Sequence, residues 1–302
     1  MHLAQATHGV FRPRGARWNE TRHGERSRGA PRLGPPTDRA GRADPATVTD
    51  VTASELLAVV AARELRDDTT VFAGVGVPLL AAALARQRHA PRLTLVIEGG
   101  IIGPEIAPGR LPISTNEMRA SRRATMLPGI TDAFLLAQRG FVDVGFMGGA
   151  QIDRHGNVNT SVLGTDYWHP KVRLPGTGGA NDIASLCREV IIVTPHERRR
   201  FVERVDFVTS PAWLHGDGAR RAAGLLFGGV SRVVTTLGIL GFDPDSRRMR
   251  IDAVHPGVSV ATIREHTGFE LLEAPRLAVT VPPSEDELAM LRALDPERRF
   301  LG

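Results

Sequence analysis

Apolar positions along this chain fall into short unbroken runs divided by glycine-rich segments, the pattern of strands and helices alternating through an α/β sheet. In "TASELLAVVAARELR", Leu56, Leu57, Val60, Ala61 and Leu65 recur at helical spacing behind Thr52 or Ser54, either of which can accept from the first-turn amides. This predicts a helix from about Ser54 to Arg66. "TTVFAGVGVPLLAAALARQ" then reads as an extended Thr70 to Ala73, a turn at Gly74 and Gly76, Pro78 at the first helical position and a helix to Gln87. "LTLVIEGGIIGP", Leu93 to Pro104, opens with five residues of which four are apolar, as a strand buried on both faces does. Strand, helix and strand in that order make a right-handed crossover with the two strands parallel.

The same alternation continues downstream. "GITDAFLLAQRG" reads as a helix, "VGFMGGA" as a buried strand ending in glycines and "EVIIVTP" as another apolar strand. "DRHGNVNTS" turns at Gly156, and "VRLPGTGGANDIASL" sets Gly176, Gly178 and Gly179 before a helix from about Asp182. "HERRRFVERV" reads as a short amphipathic helix or an approach to a strand, and "FDPDSRRMRIDAVHPG" as a hairpin turning at Pro244 to Ser246. "VATIREHTGFEL" is a short helix stopped at Gly268, and "SEDELAMLRAL" a helix capped by Ser284 with Glu287 three residues on. The expected fold is α/β, an open, mostly parallel sheet flanked by helices.

Composition narrows the function classes. No stretch approaches the roughly 20 apolar residues that cross a bilayer, so no membrane is expected. The start also lacks the apolar core of a secretory signal, so a cytoplasmic protein is expected. The single cysteine, Cys187, excludes an internal disulfide and a cysteine-cluster metal site; it reads as a small core residue, and no metal is expected. The formal charge of +5 hints at nucleic acid until it is located: residues 1–50 hold nine arginines against five acids, a surplus of four, and the rest of the chain is left at +1. With aromatics at 5% and no basic folded module, nucleic-acid binding is rejected. Residues 1–50, rich in Arg, Gly and Pro without apolar periodicity, are expected to be a disordered extension, and 51–302 the folded domain.

Candidate chemistry centres on Glu98. It stands at the carboxyl end of an apolar strand, where α/β sheets gather their sites, and Gly99 and Gly100 after it lack the Cβ that would keep a bulky substrate away. The "GVGVP" turn is not a dinucleotide fingerprint, because Leu79 stands where the third glycine is required. What it offers is backbone amides at a helix N-terminus, among Gly74, Val75 and Gly76, suited to an anion or an oxyanion.

"FAGVGVP", "VIEGGIIGP", "GGAQIDRHGNVNTS", "HPKVRLPGTGGANDIA", "VTSPAW" and "HPGVS" with "IREHTGFEL" occur in that order over roughly residues 52 to 300. The ordered set resembles the B (beta) subunit of heteromeric family I CoA-transferases, most of all those acting on glutaconate and 3-oxoadipate. The resemblance implies the CoA-transferase fold and a ping-pong transfer of CoA between an acyl-CoA and a carboxylic acid, dicarboxylic or 3-oxo, through a glutamyl-CoA thioester on Glu98. Coenzyme A is then a substrate, with no permanently bound cofactor. An A (alpha) subunit completes the enzyme as an α2β2 heterotetramer or larger. By position, the amides of Val75 and of Gly178 or Gly179 resemble the family's oxyanion donors, with Asn157 or Asn159 as further polar contributors. The sequence has Glu98-Gly99-Gly100 where Glu-Asn-Gly or Glu-Ser-Gly is commoner, which removes any contact from a middle side chain. Arg119, Arg122 and Arg123 are candidates to neutralise the distal carboxylate of a dicarboxylic acid. Two alternatives stand beside this: a ring-cleaving CoA hydrolase subunit, resembled in "DRHGN" and "HPGV" but lacking a glutamate at this position, and a non-catalytic subunit that completes a partner's pocket.

Overall fold

The structure is a computed structural model that describes residues 51–302; the expectation of disorder over 1–50 lies outside the described residues. Helix α1 (Ala53–Arg63) starts at Thr52, whose hydroxyl accepts from the Glu55 amide while the Glu55 carboxylate accepts from the Thr52 amide, so both orphan donors are satisfied. Its end at Arg63 falls short of the expected Arg66. Strand β1 (Thr70–Ala73), helix α2 (Val77–Arg88) and strand β2 (Thr94–Ile97) form the expected parallel crossover. After Glu98 the chain does not run on into a loop: β3 (Ile101–Ile102) turns back antiparallel on β2.

Helix α3 (Ile130–Gln138) leads into β4 (Val144–Met147), and two short hairpins follow, β5 (Gln151–Ile152) with β6 (Val158–Asn159) and β7 (Val162–Leu163) with β8 (Val172–Arg173). Helix α4 (Ala180–Leu186), which begins two residues before the expected Asp182, precedes β9 (Glu189–Thr194). The short α5 (Ala219–Ala222), β10 (Val230–Thr235), the hairpin of β11 (Gly238–Phe242) and β12 (Met249–Val254), α6 (Val260–Glu265), β13 (Leu272–Val279) and α7 (Glu285–Leu294) complete the chain. The segment at Phe201 takes no helix and makes one parallel bridge to Ile152.

The main sheet has nine strands in the order β13-β12-β11-β10-β9-β4-β1-β2-β3. From β10 to β2 the pairings are all parallel, so Ala73, Ile97, Met147, Thr194 and Thr235 all end at one edge. Helices α1, α2 and α7 cover one face, with Leu57, Leu79, Leu80, Leu84 and Leu291 in its core, and α3 and α4 cover the other over Phe72, Val96 and Ile192. Gly145 in β4 is what lets α4 sit close to the sheet: a Cβ there would fall 2.5 Å from Cγ2 of Ile183. Cys187, as expected, packs in that core, where burial pushes its thiol up to about 12, far from nucleophilic use.

Two buried histidines tie the strand ends together. His196 stacks on Phe201 and hydrogen-bonds the hydroxyls of Thr235 and Thr267; His255 bonds the Thr235 carbonyl and the Thr280 hydroxyl. Burial, aided by His266, holds His196 down to about 3, and burial lowers His255 too. Both rings are therefore neutral in the folded chain at pH values where the unfolded chain protonates them. Stability is full above the unfolded histidine value near 6.5 and falls with pH below it, by up to about 1.4 kcal/mol per unit per group. The carboxyl of Glu55, held at about 2 first of all by the Arg292 hydrogen bond, adds its loss only below its unfolded value of 4.5. Urea midpoints should thus drop already between pH 6.5 and 5; a flat profile over that window would show that the rings are not buried neutral.

Candidate active site

Glu98 occupies the tight turn from β2 to β3, closed by the Gly100 amide donating to the Ile97 carbonyl at 3.0 Å. Its carboxylate is half-buried, and among the described residues it takes part in no ion pair and no hydrogen bond. A partly buried carboxylate that no protein donor engages is open to a ligand.

The two glycines after it serve the chain more than a substrate. A Cβ on Gly99 would meet the Thr115 carbonyl at 2.5 Å and Oδ1 of Asn116 at 2.6 Å, and Gly100, at φ +83°, has the Gly129 backbone where its Cβ would be. The space foreseen for substrate on this side is filled by residues 115–116 and 129. Substrate must reach Glu98 from elsewhere, and the side chain of Asn116 stands beside Gly99 where the commoner sequence carries one of its own.

The loop "GTGGA" approaches the Glu98 side chain itself. Gly178 has φ +48°, and a Cβ on it would lie 3.7 Å from Oε1 of Glu98; a Cβ on Gly179 would lie 2.9 Å from Cδ of Glu98 and 2.6 Å from Cζ of Phe134. Gly179 is thus pressed between the carboxylate and a ring that itself stacks on Phe72 of β1, centroids 5.2 Å apart. Among the described residues the amides of Gly178 and Gly179 have no protein acceptor, so both remain available at the N-terminus of α4. The far end of α4 is held by Arg220, a buried guanidinium that donates only to carbonyls, those of Ala184, Phe227, Pro211 and Ala212. Burial lowers it to about 10, still a cation at neutral pH, and a cation at a helix C-terminus favours the helix.

Val75 follows β1, the neighbour of β2, so "GVGVP" opens at the same sheet edge as Glu98. The Gly74 amide is taken by the Phe146 carbonyl, whereas those of Val75 and Gly76 have no protein acceptor among the described residues. Asn157 and Asn159 are differently employed. Asn157 donates to both oxygens of Asp153 and to the Leu214 carbonyl and accepts from the amides of Ala212 and Leu214. Asn159 donates to Gln151 and to the Val162 carbonyl and accepts from the amides of Ser161 and Val162 and the hydroxyl of Thr209. Their polar atoms are used in building the two hairpins, and neither has a donor left for an oxyanion. Arg119, Arg122 and Arg123 pair with Glu117 and Glu105 at the surface.

Phe134 and Arg220 escaped sequence reasoning. Phe134 lies in an ordinary amphipathic run, and nothing local marks Arg220 as the arginine of its pair that turns inward. A cavity of about 510 Å³ beside Asp153, His155, Glu203 and His215 lies apart from Glu98. No described helix is long and apolar enough to cross a membrane.

A family model described as Coenzyme A transferase matches residues 54–266. The chain is 39% identical to the B subunit of 3-oxoadipate CoA-transferase from Pseudomonas knackmussii, over 80% of this chain and 92% of that one. It is 34% identical to the B subunit of glutaconate CoA-transferase from Acidaminococcus fermentans over 85% and 97%, and the crystal structure of that organism's glutaconate coenzyme A-transferase matches with a TM-score of 0.77 at 33% identity, covering 84% of this chain and 98% of that one. The cholesterol ring-cleaving hydrolase IpdB subunit of Rhodococcus jostii is 28% identical over 83% and 95%.

Proposed function

This chain belongs to the coenzyme A transferase family, and from that premise we propose that it is a catalytic B subunit whose nucleophile is Glu98, moving CoA from an acyl-CoA to a carboxylic acid. The observation that carries the reading is the carboxylate of Glu98, without a partner among the described residues, lying against Gly178 and Gly179, whose amides have no protein acceptor there.

The chemistry follows from these groups. A carboxylate oxygen of Glu98 adds to the thioester carbonyl carbon of the acyl-CoA; the carbon–sulfur bond breaks, leaving a mixed anhydride and CoA thiolate. The thiolate adds to the glutamyl carbonyl of that anhydride and expels the donor acid as its carboxylate, so CoA is now a thioester of Glu98. The acceptor carboxylate and the returning thiolate run the same two additions in reverse. No proton is gained or lost at any step, in keeping with a nucleophile that has no base beside it. Each addition places a negative charge on a former carbonyl oxygen, and the amides of Gly178, Gly179 and Val75 are the donors suited to it. The energetic demand falls on donors and positioning, because a carboxylate is a weak nucleophile.

The partner is a CoA-transferase A subunit, in an α2β2 or larger assembly, and the acceptor is a dicarboxylic or 3-oxo acid, as the relatives named for 3-oxoadipate and glutaconate suggest. The hydrolase named among the relatives gives the test. The complex with its A subunit, given acyl-CoA and no acceptor, should release one equivalent of free acid per site and stop, holding CoA on this chain in a form cleaved by hydroxylamine. Continuous release of acid and free CoA would mean thioester hydrolysis, and opening of a substrate ring with the thioester left intact would mean a ring-cleaving hydrolase; either outcome refutes the transfer. The chain without its A subunit should not turn over.

A further inference from the structure

Of the 38 basic residues in the sequence, Lys171 is the one lysine. It stands just before the return strand of the β7–β8 ribbon, its amide donating to the Leu163 carbonyl at 2.8 Å and its side-chain stem lying over Gly164, where a Cβ would come within 3.4 Å of its Cγ. Its side chain is exposed, and no carboxylate among the described residues pairs with it; the nearby Asp166 is engaged by His169 and by the Trp168 amide. At the tip of the same ribbon Trp168 is 80% exposed, its ring set edge-on to Tyr167, which is fixed in turn by Phe207 and by the Arg173 guanidinium 4.9 Å from its centroid. An open indole face and, three residues on in the same ribbon, an ammonium with no carboxylate partner among the described residues offer what a purine nucleotide phosphate can use: stacking for the base, charge for the phosphate.

The ribbon and the catalytic loop are one hydrogen-bonded unit. The amide of Leu174 donates to the Ser161 carbonyl and that of Gly176 to the Thr160 carbonyl, and Asn181 reaches from α4 to the Thr209 carbonyl, while Thr209 accepts from the Thr160 amide. Two residues beyond Gly176 the chain meets Glu98. From Lys171 to Gly178 the backbone can span no more than about 25 Å. A CoA thioester carries its nucleotide and its sulfur at opposite ends of a long arm, and this unit presents a nucleotide-like surface at one end and the carboxylate at the other.

We propose that the β7–β8 ribbon binds the phosphoadenosine end of CoA, with Trp168 stacking on the adenine and Lys171 facing a phosphate, while the loop it feeds holds the thioester at Glu98. This rests on the reading of Glu98 as the acceptor of CoA. Binding energy from the non-reacting nucleotide can then position the thioester, so its loss is felt in kcat/KM.

The test compares acyl-CoA with the matching acyl-pantetheine, which has the same reacting group and no nucleotide, in the assembled complex. On acyl-CoA, Lys171→Met should lower kcat/KM about 10- to 100-fold and Trp168→Ala about 5- to 100-fold, with Lys171→Arg retaining most activity because the charge is kept. On acyl-pantetheine all three should match the wild type. Variants within twofold of wild type on acyl-CoA would overturn the proposal; so would equal losses on both substrates, which would mark the ribbon as structural or as a face for the A subunit, a case visible as a smaller complex on gel filtration. A wild-type complex that forms no thioester adduct, of CoA from acyl-CoA or of pantetheine from acyl-pantetheine, would refute the role of Glu98 itself, whereas a wild-type adduct with indifferent ribbon variants would refute this inference alone.

Discussion

Replacing Glu98 by alanine should abolish CoA transfer, with turnover falling at least about a thousandfold, as loss of a covalent nucleophile does, while the complex still assembles. Assembly should survive because the carboxylate has no hydrogen bond or ion pair to lose among the described residues and its strand ends before it. Glu98→Asp isolates reach from chemistry. It keeps the nucleophile and withdraws it by about 1.5 Å, one carbon–carbon bond, and displacements of about 1 Å can already cost on the order of 100-fold. Glu98→Gln keeps the shape and should form no adduct. Turnover by Glu98→Ala within tenfold of wild type would remove the nucleophile from this residue and leave a hydrolase or a non-catalytic subunit as the better description.

The second large effect is expected at Gly179. A methyl there must enter a space bounded by Cζ of Phe134 at 2.6 Å and Cδ of Glu98 at 2.9 Å, and neither bound yields easily, since Phe134 is stacked on Phe72 and Glu98 is the reacting group. Gly179→Ala should therefore lower kcat about 100-fold by shifting carboxylate or amide out of register. Its thermal midpoint should fall only slightly, because the site lies at the sheet edge. Phe134→Leu relieves one side of the vise, so the double variant should recover part of the loss, a coupling that a double-mutant cycle measures. Equal damage to kcat and stability, with no recovery in the double variant, would reduce Gly179 to a packing residue. Gly178 is a less clean probe, because any side chain at its φ of +48° is strained whatever it touches.

The hydrophobic runs and caps of this chain settled most of its local structure. Thr70–Ala73 was readable to the residue, because an apolar run between turn signals has one way to be a buried strand, and the box at Ser284 was readable because a cap and its glutamate act within one helical turn, whereas the choice of Thr52 over Ser54 as the first cap was made by the structure. Glu98 stood out for a related reason: a charge closing an apolar strand is a local conflict that only a ligand or a partner resolves. The motif order carried the family. Partnership was decided by the tertiary structure. Asn157 and Asn159 sit in a glycine turn that invites a ligand, yet their hydrogen bonds are made with Asp153, Leu214, Gln151 and Thr209 once the hairpins form, and no period or propensity encodes where a side-chain amide finds its partners. Gly99 and Gly100 announced a close approach without saying of what, since the absence of a Cβ looks the same from the sequence whether substrate or residues 115–116 and 129 fill the space. The contact of Gly179 with Glu98 joins two loops far apart in the chain, and it exists because β2 and β4 flank β1 and Gly145 draws α4 down onto β4, which is a property of the packed sheet and not of any segment in it.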